Sequence, residues 1–214
     1  MKGLLPTQSS KACTAVPVEI AYNCSDDERE PFRAEVNFAT REEWEKELHI
    51  IFRDVQAYIL DKAKRSADQD TDLKDRITDA LSKLKYVYPD LKSIGDLEAT
   101  SVKDLLADKN VKRVLSSTKI IQKTTQSQFA SAIMLYTATQ ESDRKRFVYW
   151  PLVKCVKLFV KAEVLRSGVV LVDLPGGMDS NAARGAVAEK YQKHLALTCM
   201  VVDARRGIDD QNVS

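Results

Sequence analysis

The stretch Val169-Val-Leu-Val-Asp173-Leu-Pro-Gly176 restricts the fold of this chain more than any other. Four consecutive apolar, mostly β-branched residues read as a strand covered on both faces, because a strand with one wet face alternates instead. The strand runs into Asp-x-x-Gly, and Pro175-Gly176 is a good type II turn pair. Residues 181–194 are Ala-rich and read as a helix, with Ser180 as its N-cap. Residues 195–202 form a second apolar run, expected as another buried strand. Strand, turn, helix and strand in this order make one unit of a doubly wound parallel sheet, so the expected class is α/β.

The preceding residues divide by period. Residues 14–22 are β-branched and roughly alternating, a strand that Pro17 demotes to an edge or a bulge. Residues 32–38 alternate again, and the polar turn between the two predicts an antiparallel hairpin. The period then changes. Thr40-Arg-Glu-Glu43 is a capping box, and Trp44, Leu48, Ile51, Val55 and Ile59 line one face of a helix reaching about Arg65. Leu73, Ile77, Leu81, Leu84 and Val87 mark a second helix, closed by Pro89. Two amphipathic helices joined by a short polar break predict an antiparallel helical hairpin. One or two further short helices are expected over 100–115. Residues 118–139 read as a turn followed by a short helix around Phe129 to Tyr136. After Trp150-Pro151 a strand returns over 152–160, alternating in part, so one of its faces is expected to be wet. Ser167-Gly168 makes a turn.

Charge and thiol content remove several function classes. Lys and Arg total 33 against 31 Asp and Glu, a net charge of +2, which gives no basis for a nucleic-acid or anionic-membrane surface. Cys13, Cys24, Cys155 and Cys199 are widely spaced, with no CxxC and no metal-ligand spacing to His49 or His194. They read as small buried hydrophobes in a reducing compartment. The N-terminus lacks a signal-peptide core, and no apolar run approaches membrane-spanning length. The chain is therefore expected to be soluble and intracellular, cytoplasmic or nuclear.

In nucleotide-hydrolysing α/β domains, an Asp-x-x-Gly at the end of a sheet strand puts a carboxylate near Mg²⁺ and a backbone N–H near the terminal phosphate. The same residues also serve as a plain turn, and the motif alone leaves both readings open. No Gly-x-x-x-x-Gly-Lys-Ser/Thr phosphate loop occurs in the 214 residues.

Longer phrases add weight. Leu5-Pro-Thr7, Lys11-Ala-Cys-Thr-Ala15, Trp150-Pro151, Val172-Asp-Leu-Pro-Gly176 with Asp179-Ser-Asn-Ala-Ala-Arg184, and the stretch from Val201 to Asp210 resemble the fungal branch of the dynamin-superfamily large GTPases. The resemblance covers nearly the whole chain and implies GTP and Mg²⁺ as ligands. It implies that Thr14 is the switch threonine, binding Mg²⁺ through its hydroxyl and helping to hold the attacking water. Asp173 matches the water-mediated Mg²⁺ contact, and Gly176 the backbone donor to the γ-phosphate. Gly177 and Met178 would lie in a second mobile switch.

The family's phosphate loop would precede Leu5, and its guanine-reading motif would follow the 195–202 strand. Neither is among these residues, so residues 1–214 are expected to be a partial GTPase domain with a helical insert at about 40–140. The sheet is expected to be an incomplete doubly wound one, prone to self-association through its edges. GTP hydrolysis by these residues alone is not expected, because the phosphate-gripping groups are absent. The alternative is a non-catalytic remnant acting as a protein-interaction module.

Overall fold

The structure, a computed structural model, describes residues 16–63, 71–138, 146–174, 191 and 193–199. Its centre is a five-stranded mixed sheet. The strands are β1 (Val18–Tyr22), β2 (Phe32–Phe38), β3 (Thr118–Lys123), β4 (Val153–Val160) and β5 (Leu171–Asp173), in the spatial order β3-β2-β4-β1-β5. Only β1 and β4 run parallel; β2 pairs antiparallel with both β3 and β4, and β5 antiparallel with β1.

The register explains the order. Val18, Val156 and Val36 form one row across the sheet, Ile20, Leu158 and Ala34 the next, and Tyr22, Val160 and Phe32 a third. Apart from Tyr22 and Phe32 at the rim, these side chains are buried. The expected hairpin of β1 with β2 does not form, because β4 lies between them. Direct pairing of β1 and β2 would take from β4 the neighbours that match its apolar rows. The polar connection 23–31 has only to cross two strand spacings, roughly 10 Å. Asn23, buried, holds that connection: its amide donates to the Glu30 carbonyl at 3.0 Å and its Oδ1 accepts from the Ser25 N–H. Pro17 does not mark an edge either. It stands one residue ahead of β1, where a missing N–H costs no ladder bond, and its carbonyl accepts from Val156 N at 3.0 Å.

A set of helices, α1 (Arg41–Ala63), α2 (Thr71–Val87), α3 (Ile94–Glu98), α4 (Val102–Ala107) and α5 (Lys109–Val114), stands between β2 and β3. The chain leaves and rejoins the sheet at one point: Ser116 N donates to the Ala39 carbonyl, and the Arg41 N–H donates to Ser116 Oγ at 3.1 Å. The capping box at α1 forms as the sequence predicts, with Glu43 N to Thr40 Oγ1 at 3.1 Å and Thr40 N to Glu43 Oε2 at 2.8 Å. Antiparallel packing of α1 on α2 is fixed by two ion pairs, Glu47 with Lys83 and Asp54 with Arg76, which run in opposite chain directions. Over 100–115, where the sequence predicts one or two short helices, α4 and α5 occur, and α3 precedes them. Two of them carry Ser-x-x-Asp capping boxes, Ser93 with Asp96 and Ser101 with Asp104.

Tyr88 joins α1, the end of α2 and α4. Its hydroxyl accepts from Trp44 Nε1 at 3.1 Å and donates to the Leu105 carbonyl at 3.1 Å. Helix α6 (Gln126–Thr137) covers the apolar sheet face by ring contacts, Phe129 on Phe32 at 5.6 Å and Tyr136 on Phe38 at 6.2 Å. Strand β3, read in the sequence as part of a turn, is an edge strand on which only Ile121 is buried. That is why its hydrophobic pattern was too faint to read. Among the described residues no helix is long and apolar enough to cross a membrane.

Replacing Tyr88 by Phe removes one donor and one acceptor inside the core and strands the Trp44 N–H and the Leu105 carbonyl. The expected cost is about 2 kcal/mol in urea unfolding. Burial also pushes the Tyr88 phenol above its ordinary range, against a smaller lowering by Trp44. Its contribution is therefore complete below the unfolded value near pH 10. Above that pH the unfolded state ionises first, and stability falls by up to about 1.4 kcal/mol per pH unit. Tyr88→Phe should flatten this alkaline slope; an unchanged slope would show that Tyr88 is not its source.

Candidate functional site

Asp173 is the candidate residue that the structure describes; Thr14 and Gly176, with Gly177, Met178 and residues 181–190 of the helix expected over 181–194, lie outside the described residues, and of that helix's end Tyr191 is helical and 193–194 form a turn. Asp173 ends β5, and its register partner is Val18, the first residue of β1 and four positions after Thr14 in the chain. The carboxylate thus extends the row Val36, Val156, Val18 at the end of the sheet where β1 and β4 begin. Asp173 is half-buried. A carboxylate there can accept hydrogen bonds from metal-bound water or contact a cation, which is the chemistry the motif predicts.

The strand that carries it differs from the expectation. Val169 to Val172 were expected to be covered on both faces. Instead β5 is three residues long, and Val169, Val170 and Leu171 are 47%, 50% and 42% exposed. The continuous apolar run misled because it matches a buried parallel strand, whereas β5 is an antiparallel strand that pairs with β1 alone among the described strands. The described part of the next expected strand, residues 195–199, is not in strand conformation, and Leu197 is 79% exposed. The thiols also depart from the reading of buried hydrophobes: Cys155 is buried, but Cys24 and Cys199 are exposed, and Cys13 lies outside the described residues. The turn at Ser167-Gly168 is present, with Gly168 at φ +91°, a conformation that favours glycine.

The opposite sheet face is polar, as the partial alternation of β4 predicts. Glu19, Lys157 and Glu35 form one row, with Glu19 Oε2 3.7 Å from Lys157 Nζ. Arg33 lies over the Phe159 ring at 4.9 Å. Asn37 Nδ2 donates to Cys155 Sγ at 3.6 Å. Sequence reasoning missed Tyr191 here. Its hydroxyl donates to Glu19 Oε1 at 3.1 Å, across 172 residues of chain. Burial, with Cys155 and Glu19 beside it, pushes its phenol above the ordinary tyrosine range. No local sequence signal marks such a contact, because one aromatic at the end of an Ala-rich stretch has no periodic partner.

An open groove of about 700 Å³ lies elsewhere, between α1 and the α3–α4 pair. Phe52, Val55, Ile59, Leu97 and Val102 line it, with His49, Arg53, Glu98 and Lys103 among its polar residues. No group of three or more metal-ligating side chains occurs among the described residues.

No family model matches the chain. It is 26% identical over 211 residues to the nuclear GTPase SLIP-GC of Mus musculus and 24% identical over 211 residues to that of Homo sapiens. Each match covers 94% of this chain and 25% of the relative, so the chain spans about a quarter of the length of these proteins. Two solved chains of an oligomerised bacterial dynamin pair overlap 89% of this chain and 19% and 22% of their own, at 16% identity and TM-scores of 0.38 and 0.33. The chain is thus related at low identity to proteins named as GTPases.

The exposure of β5 sets a contrast. Val170→Lys should change unfolding free energy by less than about 0.5 kcal/mol, as at an ordinary surface position. Leu158→Ala, in the fully buried row, should cost about 2–5 kcal/mol in the same denaturant titration. Equal losses at both positions would show that β5 is covered.

Proposed function

We propose that this chain is part of a dynamin-like GTPase domain, and that Asp173 stands on the metal side of its nucleotide site. The observation that carries the reading is the register of Asp173 against Val18. Asp173, the first residue of the Asp-x-x-Gly motif, pairs with the strand that follows Thr14 in the chain, and this supports a site that draws on both segments. The similarity to nuclear GTPases over 94% of the chain supports it. In this reading the Thr14 hydroxyl binds Mg²⁺ and its backbone helps hold the attacking water. Asp173 reaches Mg²⁺ through water, and the Gly176 N–H donates to the γ-phosphate. Held by these residues, Mg²⁺ would supply charge neutralisation to the phosphates. The phrase from Asp173 to Arg184 supports the finer placement in the fungal branch. The location follows as intracellular, and the relatives' name favours the nucleus within it.

These 214 residues contain no phosphate loop and no guanine-reading motif, so they do not by themselves supply the phosphate grip of such a site. Turnover by the 214 residues alone is not expected. A second reading, a non-catalytic module that binds a protein partner, is favoured by the apolar groove between α1 and α3–α4.

The test is binding of a fluorescent GTP analogue to the whole protein that carries this chain, with Mg²⁺ and with EDTA. Thr14→Ala and Asp173→Ala should each abolish most of the affinity gained from Mg²⁺ and leave the EDTA value unchanged. Wild-type protein that binds no nucleotide, or variants with unaltered Mg²⁺ dependence, would remove the GTPase reading in favour of the interaction module.

A further inference from the structure

The β1–β5 ladder has three residue pairs, Val18 with Asp173, Glu19 with Val172 and Ile20 with Leu171. Register is normally fixed by which side chains are apolar, since a one-residue slip turns every side chain to the other face. Here that control is weak. Val169, Val170, Leu171 and Val172 are all apolar, and the first three are close to half exposed. A slip by one would exchange one apolar side chain for another at small cost in burial. It would, however, carry Asp173 to the opposite face of the sheet, away from the row of Val18 and Val156. Something other than the hydrophobic pattern must hold this strand in place.

The hydrogen bond from Tyr191 to Glu19 has the right position. Glu19 directly opposes Val172, the residue before Asp173. Asp173 and Tyr191 therefore attach to β1 at adjacent residues: Asp173 through the strand pair at Val18, and Tyr191 through its hydroxyl at Glu19. Each attachment raises the effective concentration of the other, so loss of one weakens both. Glu19 also selects between registers. It is held in place by Tyr191 at 3.1 Å and Lys157 at 3.7 Å. A slip that brought Asp173 opposite it would set two carboxylates face to face, which is unfavourable in a strand pair.

We infer that Tyr191 is a positioning residue: through its hydrogen bond to Glu19 it locks β5 in register on β1 and so keeps Asp173 on the face where the proposed metal site lies. The functional consequence rests on the GTPase reading; the lock itself does not.

The test separates the two. Hydrogen exchange of the whole protein without nucleotide is followed by mass spectrometry for wild type, Tyr191→Phe and Glu19→Ala. Loss of a hydrogen bond to a charged group should speed exchange over residues 169–174 and 18–20 about tenfold in Tyr191→Phe, and at least as much in Glu19→Ala, which also loses the Lys157 contact. The double variant should exchange no faster than Glu19→Ala alone, because that substitution already removes the bond that Tyr191→Phe breaks. Rates in α1, α2 and α6 should not change. Unchanged exchange over 169–174 would overturn the lock. So would an increase shared by α1 and α6, which would signal general destabilisation. Mg²⁺-dependent binding of the GTP analogue, measured on the same proteins, should weaken about tenfold in Tyr191→Phe. A wild type without nucleotide affinity would end the GTPase reading, and the exchange result would still decide the lock.

Discussion

Strand β4 is the constraint on which the rest of the structure depends. It is the longest strand, and it carries an antiparallel ladder to β2 on one side and a parallel ladder to β1 on the other. Its Val156 and Leu158 are fully buried and sit in the middle of their rows, flanked by Val18 and Ile20 on β1 and by Val36 and Ala34 on β2. Remove β4 and, among the described strands, β1 keeps only the three-residue ladder to β5, and β2 only the edge strand β3, on which Ile121 alone is buried. The proposed site depends on this arrangement at one remove, because β1, held by β4, is the strand that β5 and Tyr191 both attach to.

The molecule is unevenly built as a result. Around β2, α6 and the helices between β2 and β3, aromatic contacts and the Tyr88 hydrogen bonds tie distant parts of the chain together. The Asp173 side has a three-residue ladder and exposed apolar side chains instead. Elements of low local stability are where binding segments are commonly drawn from, since a ligand shifts such equilibria at small cost. In the proposed site, the weak ladder would be the part that responds to ligand, and the β4–β1 pair the fixed platform.

How much of this was legible in the sequence depended on how local the cause was. Thr40 with Glu43 announced α1, and the spacing from Trp44 to Val55 gave its buried face, because capping and helical period are set within a few residues. The helix around Phe129 to Tyr136 was visible for the same reason. Strand order was not. The rows that place β4 between β1 and β2 join residues more than a hundred positions apart, and nothing near Val156 in the chain names Val18 or Val36 as its neighbours. Of the candidate site, Asp173 was singled out by its motif, while the strand bearing it was misread as buried because apolar runs do not reveal which faces are covered. Tyr191 was invisible, its role resting on a single contact across 172 residues.

The central claim is spatial: the metal end of a nucleotide site lies where β5 meets the start of β1. Mn²⁺ in place of Mg²⁺, bound with a non-hydrolysable GTP analogue to the isotopically labelled whole protein, tests it most directly. A paramagnetic ion broadens the NMR signals of nearby amides. The account predicts the strongest broadening at Asp173 and Val18, weaker effects along β1, and none in α1 to α5. Broadening centred on the α1 and α3–α4 groove, or none above that from free Mn²⁺, would contradict it.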